Sequence, residues 1–265
     1  MADVHRLEKK YSRYLSESLL SNINRCAAQG GVIQVDEETA ALLNYADTCH
    51  RESDGLFDIS SGILRKIWAK DQLQAGLPDP AALAAVMKNV GWHKLRWTGT
   101  ELCFPVAGME LDLGGIVKEY AADRSCNQCR EHGIEFGLVN LGGDIAIVGP
   151  HADESPWQIA IRHPAQHSTA LKMIELSNGA LASSGDYERH VIIDNKRYGH
   201  IINAHTGWPT QALVAVSVQA DFCLVAGSAA TIGMLKESEG KIWLTQLGLP
   251  HLWMDHEGKS FCSIK

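Results

Sequence analysis

The sequence predicts an α+β fold, largely antiparallel sheets with helices packed on them, from three observations. Eight short apolar runs with strand-like alternation follow one another from Gly137 to Gln219. They are joined by short turns such as Asp194-Asn195, a hairpin dipeptide. Helical periodicities gather before and after these strands and do not alternate with them one for one, which argues against a doubly wound parallel sheet.

From the N-terminus, Val4, Leu7 and Tyr11 recur at helical spacing among charges and predict an amphipathic helix. A second helix follows Asp36 as N-cap, with acids in its first turn, a stripe of Leu42, Leu43, Ala46 and Cys49, and Gly55 to end it. Asp79 and Pro80 open a short helix expected to run to Gly91. "KLRWTG", "ELCFPV" and "MELDLGG" read as strands, the first two joined at Thr98-Gly99, and "KEYAADRSCNQCREHG" returns to helix. The strands "GLVNL", "DIAIVG", "WQIAIR", "LKMIEL", "GALASS", "RHVIID", "RYGHII" and "LVAVSVQ" come next, then a helix over 223–236 and a final hairpin at "HEGK".

The 265 residues, 45% hydrophobic and 21% charged, are enough for one large domain covering 1–265. A net charge of -7 argues against nucleic acid as a partner, because phosphate backbones need clustered Lys and Arg. A small anion is still possible, held by backbone N–H groups at glycine turns and helix N-termini. Seven cysteines, an odd count, point to reduced thiols and a cytoplasmic protein; no apolar run is long enough to span a membrane. Cys126 and Cys129 form a lone Cys-x-x-Cys without the two further ligands a zinc site needs, and read as core or surface thiols.

Four segments hold candidate chemistry. "DLGGIVKEYAADR" puts Gly114-Gly115 between a strand and a helix carrying Lys118, a place for a phosphate or simply a tight turn. "VNLGGD" sets Gly142-Gly143 between Asn140 and Asp144, where an ordinary hairpin is the alternative reading. "SSGD" closes a small-residue strand with Ser184, Gly185 and Asp186, again a ligand approach or a plain β-turn. "YGHIINAHTGWP" places His200 before a turn with no carboxylate to orient it.

Taken in order, these segments, with "YSRYLSESLLSNIN", "SDGLFDISSG" and "AGSAATIGML", resemble the FAD:protein FMN transferase (ApbE-like) family over nearly the whole chain. The resemblance implies an ApbE-like fold and transfer of FMN from FAD, with magnesium, to a threonine hydroxyl of an acceptor flavoprotein within an Asp-Gly-(Ala/Ser)-Thr segment, releasing AMP. By position it makes His200 the catalytic residue assisting the acceptor hydroxyl, followed by Thr206 and Gly207. It assigns Asn140, Gly142, Gly143, Asp144, Ser184, Gly185 and Asp186 to the flavin nucleotide, and Lys118 either to phosphate or, with Glu119, to a surface network.

For the metal it implies the Gly115 carbonyl, position 227 and Thr231. The chain departs from the family there: Gly227 replaces an aspartate, and Asn203 and Ala204-His205 replace an aspartate and Pro-Arg. A weakened magnesium site is therefore expected, since magnesium binds through hard oxygens, commonly carboxylates. A non-catalytic FAD-binding module and an FAD hydrolase giving FMN and AMP are the alternatives. An upstream strand usual in the family is not in this sequence, and an export signal is expected to have been lost with it.

Overall fold

A computed structural model describes residues 1–69, 71–166, 169–187 and 189–265, apart from the side chains of 74 and 75. Its centre is a six-stranded antiparallel sheet in the order β13-β12-β11-β8-β5-β4. These strands are β4 (Gly137–Leu141), β5 (Asp144–Gly149), β8 (Ala180–Gly185), β11 (Leu213–Ala220), β12 (His251–Asp255) and β13 (Ser260–Cys262). Smaller sheets are β1 (Val32–Gln34) with β3 (Glu101–Cys103) and β2 (Arg96–Trp97), the pair β6 (Trp157–Arg162) and β7 (Ala170–Leu176), and the pair β9 (His190–Ile193) and β10 (Lys196–Gly199).

The central sheet is covered on both faces, and strand alternation assigns each side chain its cover. Ile145, Ile147, Leu181 and Leu252 pack with Ile159, Ile161, Ile174 and Leu176 of the β6–β7 pair. Ala146, Val148, Ala180, Ala182, Val216, Val218 and Trp253 belong to the main core with the helices. Those helices are α5 (Val117–Glu131) and α6 (Cys223–Leu235). Small residues on both sides of that contact, Ala180 and Ala182 against a helix containing Ala226, Gly227, Ala229 and Ala230, let the backbones approach closely.

The other helices are α1 (Ala2–Tyr11), α2 (Leu19–Gln29), α3 (Glu37–Glu52), α4 (Pro80–Met87) and α7 (Gly240–Leu247). Ser18 and Asp36 cap α2 and α3 as side-chain acceptors from Ser21 N–H and Thr39 N–H, and Asp79 caps α4 in the same way. The α4 helix stops at Met87, one turn short of the expected end. α2 adds an element to those expected from the sequence. The Asp194-Asn195 turn is present with both residues at positive φ.

"MELDLGG" is not a strand. Met109, Leu111 and Leu113 are buried as expected, but Leu111 exchanges its backbone hydrogen bonds with the side chain of Asn24, and Asp112 N–H donates to the Ile59 carbonyl. A side-chain amide thus takes the place of a neighbouring strand. β10 likewise ends at Gly199, because the chain beyond it closes on itself: Thr210 N–H donates to the Ile201 carbonyl and Ile202 bridges Pro209.

Candidate functional site

The turn at Gly114-Gly115 leads into α5, whose N-cap residue Ile116 makes no side-chain cap. Its uncapped N–H groups and helix dipole leave a partial positive charge at this end. Lys118, in the first turn, reaches to the neighbouring hairpin: its ammonium pairs with Asp144 of β5, and its Cδ lies 3.8 Å from where a Gly142 Cβ would stand. Gly142 and Gly143 turn with φ of 64° and 97°, a conformation that favours glycine, and the Asn140 side chain accepts the Gly143 N–H at 2.9 Å. The other Asp144 oxygen accepts the Ser183 N–H at 3.0 Å, tying this turn to β8.

Glu119, the next residue, enters the α5–α6 contact. It is 6% exposed, so its pairing with Lys118 is buried at the acid end and is not a surface network. One carboxylate oxygen lies 3.3 Å from the Lys118 ammonium; the other, Oε2, is buried with no hydrogen-bond partner. A Cβ on Gly227 would stand 2.5 Å from Glu119 Cγ and 3.2 Å from its Oε1, so glycine at 227 makes room for this side chain. One turn further along α6, the Thr231 hydroxyl is 2.8 Å from the Ser184 hydroxyl at the end of β8. Asp221, the nearest acid in sequence before Gly227, is exposed ahead of α6.

Lys118, Asn140, Gly142, Gly143, Asp144, Ser184 and Thr231 thereby converge from five elements, α5, β4, β5, β8 and α6, and the turn between β4 and β5. Asp186 belongs to a second group. It is fully buried, facing Arg197 at 3.7 Å and His256 at 3.5 Å. Burial pushes its carboxyl above the ordinary range, against the pull of His256, Arg197 and His190. Its Cβ would lie 2.5 Å from a Cβ on Gly199, so Asp186 sits under the backbone that leads into His200. His200 itself is exposed just past β10. Asp186 lies two positions beyond Ser184, about 7 Å along an extended chain, so the end of β8 connects the two groups.

The turn after His200 is organised by Asn203, whose side-chain oxygen accepts the N–H groups of His205 and Thr206 at 2.9 and 3.2 Å. The Thr206 hydroxyl accepts the Trp208 N–H. Gly207 has a φ of 74°, its carbonyl accepts the Trp68 indole N–H at 2.8 Å, and a Cβ there would meet Leu83 and Met87 of α4 at 2.8 Å. Gly207 is therefore buried scaffold, while Thr206 is exposed. A cleft of about 340 Å³ between His50, Asp58, His93 and His205 lies beside this turn, lined by none of Lys118, Asp144 or Thr231.

Sequence reasoning assigned no role to Asp123, Arg197 or His256, and to Glu119 only a surface network with Lys118. The signal for the two acids was present: Glu119 and Asp123 stand four apart on one face of α5. Asp123 accepts the N–H groups of Cys223 and Leu224 at 2.8 and 2.9 Å, so the antiparallel register that brings Glu119 to Gly227 is fixed one turn away. Among the described residues no group of three or more His, Cys, Asp or Glu converges as a metal site. What the α5–α6 contact offers a cation is the Glu119 carboxylate and the Thr231 hydroxyl, both hard oxygens of the kind magnesium takes. All seven cysteines are free, with Cys126 buried and Cys129 half-buried on α5.

The family model of ApbE matches residues 1–253. The FAD:protein FMN transferase of Treponema pallidum is 30% identical over 253 residues, covering 84% of this chain and 69% of that protein. The crystal structure of the ApbE protein from Thermotoga maritima is similar with a TM-score of 0.86 at 29% identity, covering 97% of this chain and 85% of that one. The flavin transferase ApbE from Vibrio cholerae gives a TM-score of 0.86 at 28% identity, with 99% and 87% covered.

Proposed function

The chain belongs to the ApbE family, and from that premise we propose that it is an FAD:protein FMN transferase, moving FMN from FAD to a threonine hydroxyl of an acceptor flavoprotein and releasing AMP. The observation that carries the site assignment is the convergence of Lys118, the Gly142-Gly143 turn, Ser184 and Thr231, joined through β8 to the turn that presents His200. This arrangement supports a pyrophosphate at the first group and an acceptor hydroxyl at the second.

In the reaction, the threonine oxygen attacks the phosphorus on the FMN side of the pyrophosphate. One P–O bond forms as the P–O bond to AMP breaks, and His200 takes the hydroxyl proton. Lys118 and the uncapped start of α5 lie where they offset charge on the pyrophosphate. Asn140, Gly142, Gly143, Asp144, Ser184, Gly185 and Asp186 shape the nucleotide site, and Thr206 and Gly207 hold the turn after His200. A magnesium ion, held by the Thr231 hydroxyl and Gly115 carbonyl beside Gly227, would supply further charge neutralisation to the phosphates.

The acceptor is a flavoprotein presenting an Asp-Gly-(Ala/Ser)-Thr segment. A cytoplasmic location is supported by the seven free thiols. Among the described residues no helix is long and apolar enough to cross a membrane.

Incubation of the protein with FAD and magnesium, with and without such a peptide, tests the reading. Equal release of AMP and gain of FMN mass on the peptide are expected, with His200→Ala slower by about 10² or more. Free FMN without peptide modification would mean a hydrolase, and FAD bound with no AMP formed would mean a non-catalytic module.

A further inference from the structure

We propose that Glu119 of α5 is the carboxylate ligand of the metal site, contributed from the helix opposite the one that carries Thr231. The inference rests on the transferase reading and adds a ligand to it. A cation site needs negative charge, and the α6 face around Thr231 has none of its own, because position 227 is glycine and the neighbouring residues of that face are Cys223, Ala230 and Thr231.

Three observations place the missing charge on Glu119. First, the volume that a side chain at 227 would occupy is taken by Glu119: a Cβ there would lie 2.5, 3.1 and 3.2 Å from its Cγ, Cδ and Oε1. Second, Glu119 is buried, 6% exposed, and its Oε2 has no hydrogen-bond partner. A buried carboxylate oxygen left without a donor is costly, and a divalent cation removes that cost. Third, the local charge does not balance. Lys118 is shared between Glu119 and Asp144, leaving one ammonium against two carboxylates.

Geometry then supplies the rest of the donor set. Thr231 follows Gly227 by four residues on one helix face, and Gly115 lies in the turn that leads into α5, two residues before its first residue Val117. The Asp123 cap on α6 sets the register that brings these faces together. A carboxylate, a hydroxyl and a carbonyl leave positions open for water and substrate phosphate, the way magnesium is usually held. Glycine at 227 and glutamate at 119 are then two halves of one arrangement: an aspartate introduced at 227 would collide with the carboxylate already there.

Manganese, read by the electron paramagnetic resonance of the free ion, is the probe. Titrations with and without FAD compare the wild-type chain with Glu119→Gln, Glu119→Gly and Glu119→Gly/Gly227→Asp, while FAD binding without metal is followed by flavin fluorescence. Glu119→Gln is expected to weaken manganese binding about ten-fold or more, the scale on which even outer partners of a metal alter affinity, with metal-free FAD binding unchanged. Returning the acid to α6 in Glu119→Gly/Gly227→Asp should restore the affinity lost in Glu119→Gly, and this pair carries the test if Glu119→Gln does not fold. Wild-type manganese affinity in Glu119→Gln, or in Glu119→Gly, overturns the inference while leaving the transferase reading intact. A wild-type chain that binds no FAD overturns that reading and this inference with it.

Discussion

Lys118 and Asp144 form an ion pair in which the Asp144 side chain is 2% exposed and the Lys118 side chain 40% exposed. The buried member depends on the exposed one, since its other oxygen is already committed to the Ser183 N–H. Lys118→Met leaves a buried charge without its counter-charge, and urea unfolding should register a loss of about 2–3 kcal/mol, toward the lower end for buried pairs because one partner reaches water. Adding Asp144→Asn should recover part of this loss, because the amide oxygen still accepts from Ser183 and no charge remains. Additive losses in the double variant would show that the two residues act separately.

The turn after His200 depends on one acceptor atom. Asn203→Ala removes the oxygen that receives the His205 and Thr206 N–H groups, and should lower stability by about 1–2 kcal/mol and slow FMN transfer. Asn203→Asp keeps that oxygen and adds the charge that the family pattern has there. Its melting temperature should match the parent, so a change in transfer rate in this variant reports charge near His200 and not the shape of the turn.

What could be read from the sequence followed from local signals, and what could not depended on distant partners. The caps at Asp36 and Asp79, the alternation of β5 and β8 and the Asp194-Asn195 hairpin each need only neighbours in sequence. "MELDLGG" has the right alternation for a strand, but the group that satisfies Leu111 is an asparagine 87 residues away. Gly227 shows the same limit in the site. Its sequence reads as a lost carboxylate, whereas the fold brings a carboxylate from 108 positions earlier (227 minus 119) into that space. The substitution at one position was visible and its complement on another helix was not.

Asp123 holds α6 by its first N–H groups, and the acid is half-buried to do so. Burial raises its pKa above the ordinary 3.8, although the Leu224 and Cys223 N–H groups pull it down. The native state therefore binds the proton more tightly than the unfolded chain between 3.8 and the raised native value, and stability contributed by this group falls as pH rises through that window. Asp123→Asn should flatten the pH dependence of the melting temperature there and keep most of the cap. Asp123→Ala loses both acceptors, costs about 1–2 kcal/mol, and should loosen the α5–α6 register, seen as faster amide exchange at the start of α6.

Glu38 shows the opposite sign. Its carboxylate receives both terminal nitrogens of Arg6 at 2.7 Å and the Lys10 ammonium at 2.8 Å, so it fastens α1 to α3. The Arg6 hydrogen bonds, against the cost of burial and with help from Lys10, bring its pKa from 4.5 down to about 2. The stability it contributes is fully present above 4.5 and is lost as pH falls toward 2, when the native carboxylate takes up its proton. A shift of this size corresponds to about 3 kcal/mol in full, reduced to about 1–2 kcal/mol because both partners keep contact with water. Glu38→Gln should lose that amount at neutral pH and match the parent near pH 2. The difference should shrink in high salt, and the amides of α1 should exchange faster in the variant; a difference between the proteins that stayed constant across the acid range would assign the effect of Glu38 to packing instead of charge.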